Sequence, residues 1–567
     1  MVALATTVVA VVASGARPRP SGGGLRDAGQ LTGWLLPLCR VLLDVAALAC
    51  VGALLAASLL VAADAARLRM LHVARRCSVL WLLAALGTAM VSTSALLGVS
   101  LLATVRSPSS YRLLVDLPQG RALLVIAVAA AGIRWWAGRA SSLVAARTLL
   151  VLSLLAMAPM LQTGHTATGG HHYLATQALL LHVLGATLWV GGLLMILLHL
   201  RGSALVEALP SFSRVALGCF VTVSLSGVAG AWLRLGTEPQ AWRTWYGALV
   251  GAKVVLLAAL GAAGWWHRDR TLPAVLRGER LAFARLATVE VLVMAATTGI
   301  AVALARTPLP AAAASRVRPP HATTFATVDR TLPAPSVESL LTRTRPDALV
   351  LTVLVAIVVT VVVVLRRRGA RSWRGSGRLL AGLALVAWCL CGGLGAYSAA
   401  LPSAQVAQVV LLGTLAPWLL LSGWAVLTPD RDRCRWNPVH GLIGLMVVVS
   451  VLPSPLLEST LRSPVLHLAV AVAALASGLL LLAPLVLGDS TRADVRTLLL
   501  VLAVVMLSHA TFVLGRGSAL GGEWFPALGW SWADLGSDQR RAGLFLGAAA
   551  VVLAVLALRG ERGDARR

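Results

Sequence analysis

Residues 157–195 read MAPMLQTGHTATGGHHYLATQALLLHVLGATLWVGGLLM, a polar turn followed by a long apolar run. The run that starts at Leu174 is long enough to cross about 30 Å of hydrocarbon as an α-helix, because each residue adds about 1.5 Å. Gly191 and Gly192 lack side chains and are expected to let a neighbouring helix approach closely. We therefore predict a packed membrane-spanning helix that begins just after the turn.

The composition extends this prediction to the whole chain. The 567 residues are 58% hydrophobic and only 13% charged, with a mean hydropathy of +0.83, whereas soluble domains carry about 25% charged residues. Apolar runs of spanning length recur, which predicts an all-α polytopic membrane protein with about 15–16 transmembrane helices in two bundles. The predicted spans are residues 2–16, 35–62, 79–104, 121–138, 143–161, 174–199, 212–235, 246–266, 284–306, 347–365, 378–397, 404–427, 439–457, 464–486, 496–515 and 542–559.

Arginine is concentrated in every second predicted loop. The chain has 49 Lys and Arg residues and a formal net charge of +27, but clusters beside membrane spans favour contact with lipid headgroups over nucleic-acid binding. The positive-inside rule places these loops and the C-terminus in the cytoplasm, so that the turn at 162–173 and the Trp-rich loop at 516–541 face outward. The clusters comprise Arg67, Arg69, Arg75, Arg76, Arg268, Arg270, Arg277, Arg280, Arg285, Arg366, Arg367, Arg368, Arg371, Arg374 and Arg378.

One segment interrupts the series of spans. Residues 306–346 are rich in Pro, Ala, Thr and Arg and have no sustained hydrophobic period, which is typical of a domain boundary. We predict a first membrane domain at 1–310, an extracytoplasmic linker at 311–346 and a second membrane domain at 347–567. Residues 1–16 fit either a cleaved signal or a first span.

The turn and the spans beside it carry candidate metal ligands. Thioether and imidazole groups are ligands that copper prefers, so the hypothesis is a copper site with ligands from the turn and at least two spans. The alternative for an intramembrane histidine is a hydrogen bond to a neighbouring helix. The candidate ligands are Met157, Met160, His165, His171, His172 and His182.

Charged residues inside predicted spans are costly and indicate a buried pair or a functional site. Arg40 and Asp44 lie one helical turn apart, a spacing that lets them neutralise each other. Lys253 is the only lysine in the chain, and Glu290 on another span is its predicted counter-charge. If the two meet, each reduces the cost of burying the other.

Several of these positions belong to an ordered set of motifs that resembles the copper resistance D (CopD) family of inner-membrane proteins. The motifs are GH at 164–165, HVLGATLWVGG at 182–192, FSR at 212–214, SG at 226–227, YGALVGAK at 246–253 and the stretch from Arg285 to Glu290. The resemblance covers about 25–310 and implies copper homeostasis in a bacterial cytoplasmic membrane. It implies functional positions at His165, His182, Trp189, Lys253 and Glu290.

Residues from about 347 to 560 resemble the CtaG/Caa3-type copper-delivery factor for cytochrome c oxidase, and the tandem is similar to actinobacterial fusions of the two families. The family usually carries two His-Met pairs in the segment that reads YSAALPSAQVAQVVLL at 397–412, where this chain has Gln405-Val406 and Val409-Val410. His467 and His509 stand at recognisable family positions. With the paired imidazoles lost, the second half is expected to be a relic or a docking scaffold.

Three function classes follow. The first is a copper-handling membrane protein, whose partners would be the copper ion, the lipid bilayer and cytochrome c oxidase or a periplasmic copper chaperone. The second is a non-catalytic scaffold that docks an oxidase or a cell-envelope partner. The third is a haem b electron carrier, which needs two facing imidazoles. The sequence contains no nucleophile elbow, P-loop, HExxH or dinucleotide fingerprint, so we expect no enzyme.

Overall fold

The computed structural model describes residues 1–13, 27–161, 172–276, 280–305, 307, 310, 328, 332–368, 373–427, 437–487 and 492–562. Within these ranges the regular structure is helical, without a β-strand. The chain divides into two compact units, Met1–Arg318 and Pro319–Arg567. The predicted linker at 311–346 lies largely outside the described residues, but its end contains a short helix that begins with a capping box of Ser336 and Ser339.

The first unit is built around long helices joined by short connections. Its described helices are α1 (Val2–Ala13), α2 (Gly29–Leu55) with a π-helical turn at Ala56–Leu60, α3 (Asp64–Leu97), α4 (Leu101–Arg106), α5 (Pro108–Asp116), α6 (Pro118–Ala137), α7 (Leu143–Leu161), α8 (His172–His199), α9 (Gly202–Leu235), α10 (Pro239–Trp242), α11 (Trp245–Trp266) with a π-helical turn at His267–Thr271, α12 (Leu272–Leu276) and α13 (Arg280–Leu304).

The second unit continues the same architecture. Its described helices are α14 (Val337–Thr342), α15 (Ala348–Arg368), α16 (Trp373–Cys391), α17 (Gly393–Tyr397), α18 (Pro402–Gly413), α19 (Leu415–Leu427), α20 (Pro438–Val451), α21 (Leu456–Arg462), α22 (Pro464–Leu487), α23 (Arg492–Gly515), α24 (Trp524–Ala527) and α25 (Leu535–Arg562).

The all-α polytopic prediction is confirmed. Among the described residues, 13 helices are long and apolar enough to cross a membrane, or up to 14 if a bent pair counts as one span. The described part of the predicted span at 2–16 is the 12-residue α1, and the predicted span at 347–365 falls on the 21-residue α15. Helices α20 and α21, which fall on the predicted span at 439–457, meet at 84° across the sequence PSP at 453–455, whose prolines cannot continue a helix.

Most members of the predicted arginine clusters lie in helices rather than in irregular connections, while Arg277 and Arg371 lie outside the described residues. Arg67, Arg69, Arg75 and Arg76 are in the first turns of α3, where Arg67 pairs with Asp64 and donates to the Ala62 carbonyl over 3.1 Å. Long arginine side chains can place an apolar stem along a helix and its charge at the interface. Other members lie in the π-helical turn after α11 (Arg268, Arg270), in α13 (Arg285), at the end of α15 (Arg366, Arg367, Arg368) and in α16 (Arg374, Arg378).

Helices α2 and α8 pack with their backbones in direct contact. A Cβ atom added to Gly52 would clash with the backbone of Gly191, and one added to Gly191 would clash with the Leu48 carbonyl. A Cβ on Gly192 would lie 2.6 Å from the Phe212 ring. The expected close approach at Gly191 and Gly192 is therefore confirmed, and it brings α8 between α2 and α9.

Buried aromatic side chains form hydrogen bonds that link the segments between the spans of the second unit. The indole Nε1 of Trp524 donates to the Ala399 carbonyl over 2.8 Å, and the Tyr397 hydroxyl donates to the Pro333 carbonyl over 2.8 Å. Both aromatic side chains are fully buried. The Trp-rich loop is thus packed onto the bundle rather than extended into solvent.

The α2–α8 contact makes a direct prediction. Gly52→Ala should lower the stability of the protein by about 1–3 kcal/mol, because an added methyl group must push two helix backbones apart. Gly132→Ala is the matched control, since nothing lies within 4 Å of the added Cβ there and alanine favours the helix by about 0.5–1 kcal/mol. The measurement is the thermal unfolding midpoint of the purified protein in detergent, and equal midpoints for the two variants would contradict the packing argument.

Candidate functional site

The imidazole of His182 is partly buried in the first unit, against α9. Its Nδ1 is 3.1 Å from the Val223 carbonyl oxygen and 3.2 Å from the Ser226 hydroxyl. A carbonyl oxygen only accepts, so the proton is on Nδ1, which donates it, and the lone pair is on Nε2. Metal-binding histidines are oriented in the same way, by a carbonyl or carboxylate on the other ring nitrogen. The arrangement leaves Nε2 chemically able to bind a metal.

Two glycines of α9 leave space for the His182 ring and for the Arg234 guanidinium. A Cβ on Gly227 would lie 3.4 Å from the His182 ring, and one on Gly230 would lie 3.2 Å from the Arg234 guanidinium. Arg234 and Lys253 both act electrostatically on His182. The ring therefore lies in a positive field, which opposes the binding of a bare cation.

The other predicted metal ligands are placed only in part. On α7, Met157 is buried and Met160 is partly buried, while His172 begins α8. His165 and His171 lie outside the described residues. No group of three or more His, Cys, Asp or Glu side chains suited to a metal occurs in the part of the chain that the structure describes. Convergence of the six predicted ligands remains a prediction.

Glu290 is buried, but its partner is not the predicted one. Its carboxylate is 3.3 Å from Nε2 of His267, whose ring also packs on Phe283. No ion pair joins Glu290 to Lys253 in the described segments, so the predicted pair is wrong. His267 follows the end of α11, about 21 Å along the helix from Lys253 at 1.5 Å per residue. In the sequence, the histidine of WWHRDR at 265–270 is the feature that could have indicated this pair.

The remaining predicted positions of the first unit have structural partners. Arg40 acts electrostatically on Asp44 from one turn away on α2, the relation expected from their spacing. Trp189 is buried and meets the Phe220 ring edge-on, with centroids 5.8 Å apart. Trp189 therefore contributes to the contact of α8 with α9.

The second unit buries three polar side chains, including Gln405 at the start of the first expected His-Met pair. Gln405, Gln408 and His467 are 1%, 2% and 4% exposed, so they are inside the bundle. His467 Nε2 bonds to the Ser398 hydroxyl over 3.0 Å, and Gln408 donates to the Cys389 carbonyl over 2.6 Å. Amide oxygens are hard ligands, whereas Cu(I) prefers sulfur and imidazole nitrogen.

His509 is a poor metal-ligand candidate, because both of its ring nitrogens are engaged. Nδ1 bonds to the Val505 carbonyl of its own helix over 2.8 Å, and Nε2 lies 3.2 Å from the Ser450 hydroxyl. The bond to Val505 places the proton on Nδ1, so the Ser450 hydroxyl donates to Nε2. The nitrogen left for a metal is already occupied by a hydrogen bond.

Asp538 and Gln539 form hydrogen bonds that link separate segments of the second unit. The buried Asp538 carboxylate accepts from the Ser403 backbone N–H over 2.9 Å and from its hydroxyl over 2.6 Å. Since Ser403 lies in the first turn of α18, the carboxylate stabilises the positive end of that helix. Gln539 accepts from the Leu520 N–H over 2.9 Å.

Two segments of the chain match models of known families. Residues 206–304 match the model for copper resistance protein D (CopD), and residues 356–559 match the model for the cytochrome c oxidase caa3 assembly factor (Caa3_CtaG). No curated protein and no solved structure matches the chain. Lys253 and Glu290 lie within the first matched segment, whereas His182 and Trp189 precede it.

The contact between α25 and α18 supports a stability prediction. Asp538→Ala should cost about 1–3 kcal/mol, because it leaves the Ser403 N–H and hydroxyl buried without their acceptor. Glu523→Ala, at an exposed glutamate of the same outer segment, should change stability by less than about 0.5 kcal/mol. Thermal unfolding of the full chain in detergent measures both. Equal effects would show that the buried carboxylate has no special role.

Proposed function

We propose that this chain, which joins a CopD-type segment to a CtaG-type segment in one polytopic membrane protein, binds copper in its first unit and moves it into or across the cytoplasmic membrane. The two family matches support a copper-related membrane protein. Transport is the finer proposal, and copper is the cargo rather than a resident cofactor. The positive-inside rule supports a cytoplasmic C-terminus.

The observation that carries this proposal is the orientation of His182. Its Nδ1 is held by the Val223 carbonyl and its Nε2 is directed away from that bond, which is the geometry of a preorganised metal ligand. Soft ligands on α7, Met157 and Met160, precede the turn that leads into α8. Two or three such groups suffice for Cu(I), which accepts imidazole and thioether ligands.

A scaffold role is the second proposal, and it concerns the second unit alone. Val406, Val409 and Val410 are apolar, and Gln405 offers an amide where the related family usually has imidazole. Replacement of soft ligands by valine and glutamine removes the chemistry of copper donation but leaves the helical bundle. We infer that this unit docks an oxidase or a cell-envelope partner. We propose no catalysed reaction for either unit.

Loss of the His182 imidazole tests the copper proposal. His182→Ala should weaken Cu(I) binding by the purified full chain about tenfold or more, as expected for loss of a ligand. His72→Ala is the matched control, because His72 is exposed on α3 and bonds only to Leu68 of its own helix. Competition with a Cu(I) chelator gives the affinities. Wild-type affinity in His182→Ala would contradict the proposal.

Substitution of His467 tests the scaffold proposal for the second unit. His467→Ala should leave the amount of copper bound per chain unchanged, because the second unit supplies no copper ligand in this account. In cells that lack the wild-type chain, His467→Ala that accumulates in the membrane should restore oxidase content as the wild type does. Metal analysis and the oxidase haem spectrum are the measurements. Less copper bound per folded His467→Ala chain would refute the scaffold interpretation.

A further inference from the structure

Hydrogen-bond donors gather at one end of the first unit, where α9 ends and α11 begins. Leu235 at the end of α9 packs with Tyr246 and Val250 of α11, so the two helix ends lie side by side. Arg234 acts electrostatically on Tyr246, on Lys253 and on His182. Arg234 therefore lies within electrostatic range of side chains on α8 and α11.

The guanidinium of Arg234 is directed back along α9 rather than outward. Its Nη1 donates to the Gly230 carbonyl over 3.0 Å, one turn before Arg234 itself. A Cβ at position 230 would lie only 3.2 Å from Nη1, so glycine makes this path available. One N–H of the guanidinium is used by Gly230, and four of its five donors are left for another acceptor.

The described residues provide no carboxylate partner for the cations of this group. Neither Arg234 nor Lys253 forms an ion pair with a carboxylate in the described parts of the first unit. Glu238, the acidic residue of the connection between the two helices, is exposed. Two like charges that act on each other where solvent is partly excluded are unfavourable unless an anion neutralises them. Arginine and lysine have no acceptor atoms, so they cannot satisfy each other.

We propose that Arg234, Lys253 and Tyr246 form a binding site for an oxyanion of the phosphate class. The guanidinium fork and the ammonium supply charge-assisted hydrogen bonds to phosphate oxygens. The phenol hydroxyl of the buried Tyr246 supplies a further donor. The side chain of His182 is not needed, because its Nδ1 is already bonded to Val223.

The surrounding tryptophans indicate the level of the site in the membrane. Trp232, Trp242 and Trp245 are exposed at the same end of the unit, as expected for an aromatic belt at the headgroup level. Lys253 lies about 12 Å further along α11 than Trp245. Arg234 and Tyr246 are one or two residues from these tryptophans in sequence, so either a lipid headgroup or free phosphate can supply the oxyanion at that level.

The test uses the delipidated full chain in neutral detergent and measures dissociation constants and thermal midpoints. One arm titrates sodium phosphate against sodium chloride of equal ionic strength. The other titrates a short-chain phosphatidylglycerol against a diacylglycerol with the same tails. A rise in midpoint with phosphate alone identifies the free anion, and a rise with phosphatidylglycerol but not diacylglycerol identifies the lipid. No rise in either arm overturns the proposal.

Two variants separate binding from folding. Arg234→Gln should weaken the ligand about tenfold or more, as loss of a charge-assisted contact does, whereas Arg243→Gln, an exposed arginine in the same connection, should not. Lys253→Met should respond less to the ligand but be at least as stable without it, because it removes an unbalanced charge. An unaltered response in Lys253→Met, or equal losses in the two arginine variants, would overturn the proposal. Neither result depends on copper binding.

Discussion

The first unit depends on the backbone contact between α2 and α8 at Gly52 and Gly191. In a bilayer, helices associate by close packing and hydrogen bonds rather than by the hydrophobic effect, so two glycines at a crossing determine how near α8 lies to its neighbours. With α8 fixed on α2, its other side meets α9 through Trp189 and Phe220. The same face carries His182, whose ring is thereby held against the Val223 carbonyl.

Sequence patterns predicted much of this fold but not the pairing of its charges. Hydropathy predicts spans because lipid requires every backbone group to bond within its own helix, and the proline pair at 453–455 could have marked the bend between α20 and α21. The partner of Glu290 could not be predicted, since a carboxylate can be matched by any cation or imidazole at the same depth. His267 meets that condition, and Lys253 is a further three to four helical turns away.

The surroundings of the candidate copper ligand His182 likewise could not be predicted in full from the sequence. Residue chemistry identified His182, and the structure adds the hydrogen bond that orients it. The positive field of Arg234 and Lys253 could not be inferred from spacing, because the two residues lie on different helices and come within electrostatic range only after folding. An anion beside these cations would lower the cost of bringing copper near His182. The two proposals concern different atoms and are compatible.

The two halves differ in the ligands that remain. The first keeps an imidazole with its lone pair directed away from its own hydrogen bond, whereas the second buries amide groups at Gln405 and Gln408. X-ray absorption of the Cu(I)-loaded full chain tests the central claim most directly. The account predicts one copper per chain with imidazole nitrogen and thioether sulfur as neighbours, and loss of a nitrogen neighbour in His182→Ala. Substoichiometric copper, or a spectrum unchanged by His182→Ala, would contradict it.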